Sequence, residues 1–397
     1  MQVTYNSPNR SHHYRYASAL ARAGCLRAFV SGFPRFSPRA ALPGVPVVRA
    51  DHLQNLYLAA LRFRAPARLS EALADGAKLW LDRRSLAPAR SSDLFLFYSG
   101  AGLSTMRRLR GSPTVCVLEA VNSHVLVQKR IMDEENRRLG VPLTGFPARE
   151  VARRAQEVEE TDAVVCPSHF VKDSFVSEGF PADRVHVVPY GIPPPEPVEE
   201  APTPARPATD GTFRVLYVGQ LSPRKGVRYL LDAFTRVRHP KKELVIVGPR
   251  STPSGLEGAA IPDGTRFTGV LKGAELVRAY READIFVLPT LEEGLALVLG
   301  EALAHGTPVI ATVNSGGSDL FTNGVEGFLV PIRDPEALAE KMQLMADDPA
   351  RRERMSQAAL ARLQTLGGWD RTERLLVETL QRIATAGKRT NFTTAML

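Results

Sequence analysis

The stretch Ala283–Thr312, ADIFVLPTLEEGLALVLGEALAHGTPVIAT, reads as strand, acidic turn, helix and strand. Ile285 to Leu288 is an apolar run of buried-strand length, and Pro289 with Thr290 ends it. A turn holding Glu292, Glu293 and Gly294 follows. From Leu295 the helix formers Leu, Ala and Glu continue to His305, where Gly306 supplies the residue that turns left-handed and stops the helix. Pro308 to Thr312 is the next strand. Units of this kind build α/β folds with parallel sheets.

A helix that starts behind a strand directs its unpaired N–H groups at the strand's carboxyl end, which is a place for phosphates. Gly294, Leu295 and Ala296 occupy that position. Glu293 stands just ahead of the helix, and Glu301 lies about two turns inside it. One carboxylate can face a reacting group while the other accepts hydrogen bonds from hydroxyls further along a ligand. Cationic partners are supplied upstream by Arg224 and Lys225, in a glycine-bounded turn after the strand FRVLYVG, where Gly219 permits close backbone approach.

The pair Glu293 and Glu301, with EALAHGTPVIAT after it, resembles the signature of retaining glycosyltransferases of family four, which have the GT-B fold. VGQLSPRKG at 218–226, SGGSDL at 315–320 and NGVEGFLVPIRDPEALAEKM at 323–342 extend the resemblance. It covers the C-terminal half almost throughout and the N-terminal half more thinly. The resemblance implies two Rossmann-like, doubly wound domains facing each other across a cleft. An acceptor-side domain is expected at 1–190, a Pro-rich linker at 191–211, and a nucleotide-sugar domain at 212–368. A helix at about 369–386 is expected to cross back onto the first domain, and 387–397 to fray.

Composition sets limits on this scheme. The 397 residues allow two domains, and 44% hydrophobic content allows each a core. No apolar run long enough to cross a membrane and no secretory leader pattern is visible, so a cytoplasmic protein is expected, with peripheral attachment to the inner face of the membrane left open. Cys25, Cys116 and Cys166 are widely spaced among apolar residues and read as buried thiols. The net charge of +9 arises wholly in residues 1–190, which hold 26 basic and 17 acidic residues; the remainder balances. A basic front half can attract anionic lipid or an acidic acceptor, or simply be a solvated surface; nucleic acid is not expected.

Val3 to Asn6 reads as the first strand and Ser11 to Ala23 as the helix behind it, placing His12 and His13 at a strand end where an acceptor can be met. As helix-start residues they can equally be surface. The segment LQNLYLAALRFRAPARLSEALADGAKLWLDRR from Leu53 mixes apolar side chains with Arg62, Arg64, Arg68, Arg83 and Arg84. It fits a helix packed on a sheet, or a membrane-surface element. After the strand in SPTVCVLEA, the Asn122–Ser123–His124 turn is similar to a turn in family members whose histidine faces the donor sugar; a cap or packed side chain is the alternative. Val270 and Leu271 match a turn where the family meets the nucleotide base through backbone groups.

The resemblance implies transfer of a sugar from a nucleotide-diphosphate donor to an acceptor hydroxyl with retention of configuration. Arg224 and Lys225 would stabilise the departing diphosphate, Glu293 would hold donor-sugar hydroxyls, Glu301 the ribose, and His124 the sugar across the cleft. No cofactor is expected, and no metal, since an Asp-x-Asp motif is missing. A catalytically silent sugar-nucleotide-binding subunit, or a GT-B epimerase or phosphorylase-like enzyme, remains open. No GxGxxG turn closes a first strand, which argues against a dinucleotide oxidoreductase.

Overall fold

Short apolar runs, each followed by a helical segment with one apolar face, force strands buried on both sides. A computed structural model describes residues 1–63, 65–141, 147–193 and 211–394. The front lobe runs through β1 (Val3–Ser7), α1 (His13–Arg22), β2 (Leu26–Ser31), β3 (Val47–Arg49), α2 (His52–Arg62), α3 (Ala67–Ala89), β4 (Leu94–Tyr98) and α4 (Leu103–Leu109). It continues with β5 (Val115–Glu119), α5 (Val125–Leu139), α6 (Ala148–Glu160), β6 (Ala163–Cys166), α7 (His169–Ser177) and β7 (Val185–Val187). The rear lobe comprises β8 (Phe213–Val218), α8 (Val227–Arg236), β9 (Lys242–Val247), β10 (Thr265–Gly269), α9 (Ala274–Glu282), β11 (Ile285–Leu288), α10 (Leu297–Ala304), β12 (Val309–Thr312), β13 (Gly327–Val330), α11 (Pro335–Asp347) and α12 (Pro349–Leu366). The last helix, α13 (Trp369–Thr394), returns to the front lobe.

The sheets are ordered β3-β2-β1-β4-β5-β6-β7 and β10-β9-β8-β11-β12-β13. Every pairing between their strands is parallel. In each sheet the chain moves outward, then returns beside its first strand, so strand order reverses at β1/β4 and at β8/β11. These reversals open a crevice at the carboxyl ends, where ligands of doubly wound sheets bind.

One apolar cluster fills the rear lobe, from Phe213 and Leu216 to Met342 and Met355. The front sheet has a cluster on each face, and α13 completes one of them by placing Leu376, Leu380, Ile383 and Ala384 against Val3, Tyr5, Leu94 and Val115. At the start of α13, Trp369 stacks on Tyr190 at 6.1 Å. A Cβ at Gly191 would meet the Trp369 backbone nitrogen at 2.4 Å, so the two strands of chain joining the lobes run in contact.

Some elements differ from their sequence expectation. Helix α10 begins at Leu297, not Leu295, because the amides of Glu293 and Ala296 donate to the carbonyls of Asn314 and Ser315 at 3.0 and 3.1 Å and hold the turn open. Helix α13 runs on through Gly387 to Thr394, past the point where fraying was expected; a Cβ at Gly387 would lie 2.5 Å from a Val115 methyl, so the helix is still packed on β5 there. Of the expected 191–211 linker, residues 194–210 lie outside the described residues. The Arg-rich segment splits in two: α3 lies on β1 and β2 and buries Ala77, Leu81 and Ser85, whereas α2 lies on α3 and fully buries only Ala60. No helix among the described residues is long and apolar enough to cross a membrane. The three cysteines are free and buried.

Candidate active site

The β8/β11 reversal brings the predicted basic pair to the predicted acid. Strand β8 ends at Val218, and the following turn closes at Gly226, whose φ of 64° suits glycine. A Cβ there would meet the Pro289 carbonyl oxygen at 2.2 Å, so the turn after β8 lies directly on the turn after β11. That contact sets the pair. Arg224 Nη1 donates to Glu293 Oε1 at 2.6 Å, and Lys225 Nζ lies 2.5 Å from the same oxygen. Burial opposes the charge on Arg224, but Glu293 and Glu292 outweigh it and hold its pKa above the ordinary value. Arg224 and Lys225 thus converge on one carboxylate at the crevice. Gly219 lies at the same strand end; a Cβ would meet the Tyr217 hydroxyl at 2.8 Å, so no side chain intrudes.

Glu292 is a finding that the sequence did not single out. Its carboxylate is fully buried between the lobes. It accepts hydrogen bonds from the Ser123 amide and hydroxyl, both at 2.9 Å, from Gln128 at 3.0 Å and from Asn122 at 3.2 Å. Arg224 completes the set, 3.6 Å away. Four front-lobe donors and a rear-lobe cation thus neutralise one charge, which makes the burial tolerable. The adjacent Gly294 touches the front lobe so closely that a Cβ would lie 1.9 Å from the Val121 carbonyl oxygen. Ser168 donates to the Gly294 carbonyl at 2.5 Å, and Asp319 accepts from the His169 amide at 2.9 Å. Beside this clasp lies a cleft of about 800 Å³, walled by Asn122 and Gln128 from the front lobe and by Ser222, Pro223 and Arg224 from the rear. The only sequence signal for Glu292 was its place in the acidic turn.

His124 is not brought to the cleft. It occupies the N-cap of α5, where Nδ1 accepts from the Leu126 amide at 3.3 Å. The ring stands edge-on to Phe175 at 5.1 Å inside the front lobe. Burial lowers its pKa to about 4, so the imidazole is neutral at pH 7. Its neighbours Asn122 and Ser123 reach the rear lobe instead. Glu301 also stands apart from the Arg224 group, accepting from the Tyr280 hydroxyl at 2.9 Å. Leu295 and Ala296 are buried in the turn before α10, while Val270 and Leu271 follow the edge strand β10, with Val270 exposed.

His12 and His13 form a second polar group with Glu119, which the sequence did not single out. His12 Nε2 lies 2.8 Å from Glu119 Oε1; His13 Nδ1 lies 3.1 Å and the Tyr5 hydroxyl 2.8 Å from Oε2. All four are buried. Burial, then the neighbouring His13, lower the pKa of His12 to about 4 despite Glu119. The histidine and carboxylate ligand atoms fall within 4.8 Å of one another, a donor set suited to a divalent cation. They already satisfy one another by hydrogen bonds, so the protein alone accounts for the geometry.

The rear lobe matches the model of the family Glycosyl transferases group 1. The match spans residues 212–348. Glycogen synthase of Mycobacterium tuberculosis is 35% identical over 174 residues, covering 42% of each chain, so the alignment takes in under half of that relative's length. Sucrose-phosphate synthase of Thermosynechococcus elongatus superposes over 97% of this chain and 100% of its own, with a TM-score of 0.67 at 19% identity. HepE of Anabaena in complex with UDP-glucose superposes over 96% of this chain and 100% of its own, with a TM-score of 0.63 at 15% identity. The fold is therefore GT-B across both lobes.

Proposed function

We propose that the protein is a glycosyltransferase that moves a sugar from a nucleotide-diphosphate donor to an acceptor hydroxyl with retention of configuration. The observation that carries this proposal is the meeting of Arg224, Lys225 and Glu293 at the β8/β11 reversal, in a lobe that matches the glycosyltransferase family. On binding, the donor diphosphate displaces the Glu293 carboxylate from the two cations, which then meet the charge that develops as the sugar bond breaks. Freed, Glu293 accepts hydrogen bonds from donor-sugar hydroxyls. Because Arg224 and Lys225 meet the leaving-group charge, the scheme calls for no metal. The incoming hydroxyl attacks from the face that the diphosphate leaves, and a phosphate oxygen takes its proton, so no protein base is named.

The remaining positions follow from this placement. Gly219 lets the donor approach the backbone, and the 294–296 turn meets its phosphates. Glu301 receives the ribose once Tyr280 yields, and the 270–271 turn meets the base. His124 acts through its N-cap, fixing Asn122 and Ser123 against Glu292, while His12 and His13, anchored by Glu119, form part of the acceptor-side wall. The clasp around Glu292 excludes water while the sugar is exposed.

The test incubates purified protein with UDP-, GDP-, ADP- and TDP-sugars and candidate acceptors, with and without EDTA. Release of nucleoside diphosphate together with a glycosylated product, insensitive to EDTA, is expected. Tight donor binding without any release would leave a silent binding subunit.

A further inference from the structure

Large apolar side chains that remain exposed concentrate in one hairpin. Among the described residues, Leu56 (55% exposed), Leu58, Leu61 (49%), Phe63 (78%) and Leu69 (50%) all belong to α2, the turn after it and the first turn of α3. Scattered single apolar residues need no explanation, but a cluster on one protruding element marks an interaction surface. Leu53 lies 3.5 Å from the Cβ position of Gly76, so α2 folds back along α3 with that contact at the hairpin's base, leaving Phe63 at its tip. The base is anchored: Ala77, Leu81 and Ser85 of α3 are buried, and α3 lies on β1 and β2. The tip has no such support.

From residue 52 to 70 the charge has one sign, and the first acid, Glu71, follows directly. Residues 52–70 carry Arg62, Arg64 and Arg68 and no Asp or Glu. Arg62 and Arg68 are exposed beside the apolar side chains. An exposed mixture of Leu, Phe and Arg without acids suits the boundary between acyl chains and anionic headgroups, where apolar groups enter and guanidinium groups remain with phosphate. The hairpin also has a position relative to the chemistry: Glu71, within the first turns of α3, lines the same cleft as Arg224 and Asn122.

We propose that the α2–α3 hairpin docks the protein on an anionic lipid bilayer through Leu61, Phe63 and Leu69 with Arg62 and Arg68, and thereby holds the cleft mouth at the membrane surface. Resting on the proposed sugar transfer, this makes the acceptor a membrane-borne hydroxyl compound. Docking itself needs neither donor nor turnover.

The experiment sediments the full chain with vesicles of phosphatidylcholine alone and of phosphatidylcholine mixed with phosphatidylglycerol, without nucleotide sugar. The parent is expected to bind the anionic vesicles and to be released by salt. Leu61→Ser with Phe63→Ser, both at exposed positions, should weaken partitioning about tenfold or more. Arg62→Gln with Arg68→Gln should remove the preference for anionic vesicles. A parent that stays in solution, equal binding to both vesicle types, or variants that sediment like the parent would overturn the proposal. So would a parent that is dimeric by ultracentrifugation, binds no vesicles and becomes monomeric in the Leu61→Ser, Phe63→Ser variant, since the patch would then join two copies. Arg224→Ala should bind vesicles like the parent. If no donor is turned over and vesicle binding persists, the docking surface stands and the sugar-transfer function falls.

Discussion

At Arg224 one guanidinium serves two partners, the Glu293 carboxylate and the Glu292 main-chain carbonyl, at 2.6 and 2.7 Å. Arg224→Ala should lower transfer about a hundredfold or more, as loss of a preorganised charge at a leaving group does, while the melting temperature changes little. A purified variant with parental turnover would remove the phosphate role. Glu293→Gln should abolish transfer yet leave the fold intact, since Glu293 is only partly buried. The pH dependence at His124 has a definite sign. Its folded pKa of about 4 lies below the ordinary 6.5, so the unfolded chain takes up the proton first. Stability from the neutral ring is complete above about 6.5 and is lost as the pH falls toward about 4. His124→Asn, which keeps a capping side chain, should flatten the melting-temperature profile in that window relative to the parent.

At the level of elements, the strand–turn–helix unit at 283–312 was readable because its apolar run, turn residues and glycine stop agree. Arg224, Lys225 and Glu293 were found together for the same reason: each follows a buried strand, and adjacent strands deliver their ends to one crevice. For His124 the sequence left two readings open, because a residue behind a strand can turn toward the ligand or back into its lobe. Only the packing of Phe175 on α7 decides which. Glu292 and Glu119 escaped notice because their partners lie 169 and 107 residues away in the chain, and no local spacing announces such contacts. The turn that bears Glu293 also forms the contact between lobes. Gly294→Ala should therefore keep each lobe folded but wedge them apart at Val121. Turnover should fall, and parental turnover would show that closure does not pass through this point.

For the whole molecule, the front core depends on a helix from the far end of the chain. Leu380 is fully buried against β-sheet residues more than two hundred positions earlier. Leu380→Ala should cost about 2–5 kcal/mol, measured by urea denaturation, as cavity formation at buried leucines does. The two-lobed plan itself was legible from the order of motifs, including the return of the last helix. The packing of α2 was not, because an amphipathic pattern shows that a face is apolar but not what covers it.

The return of α13 also bears on the order in which the protein matures. A ribosome that has released residues 1–190 has delivered every strand of the first sheet, yet one side of that sheet still lacks its cover. Val3, Leu94 and Val115 then wait through synthesis of the entire second lobe, so the earliest part of the polypeptide is among the last to be sealed.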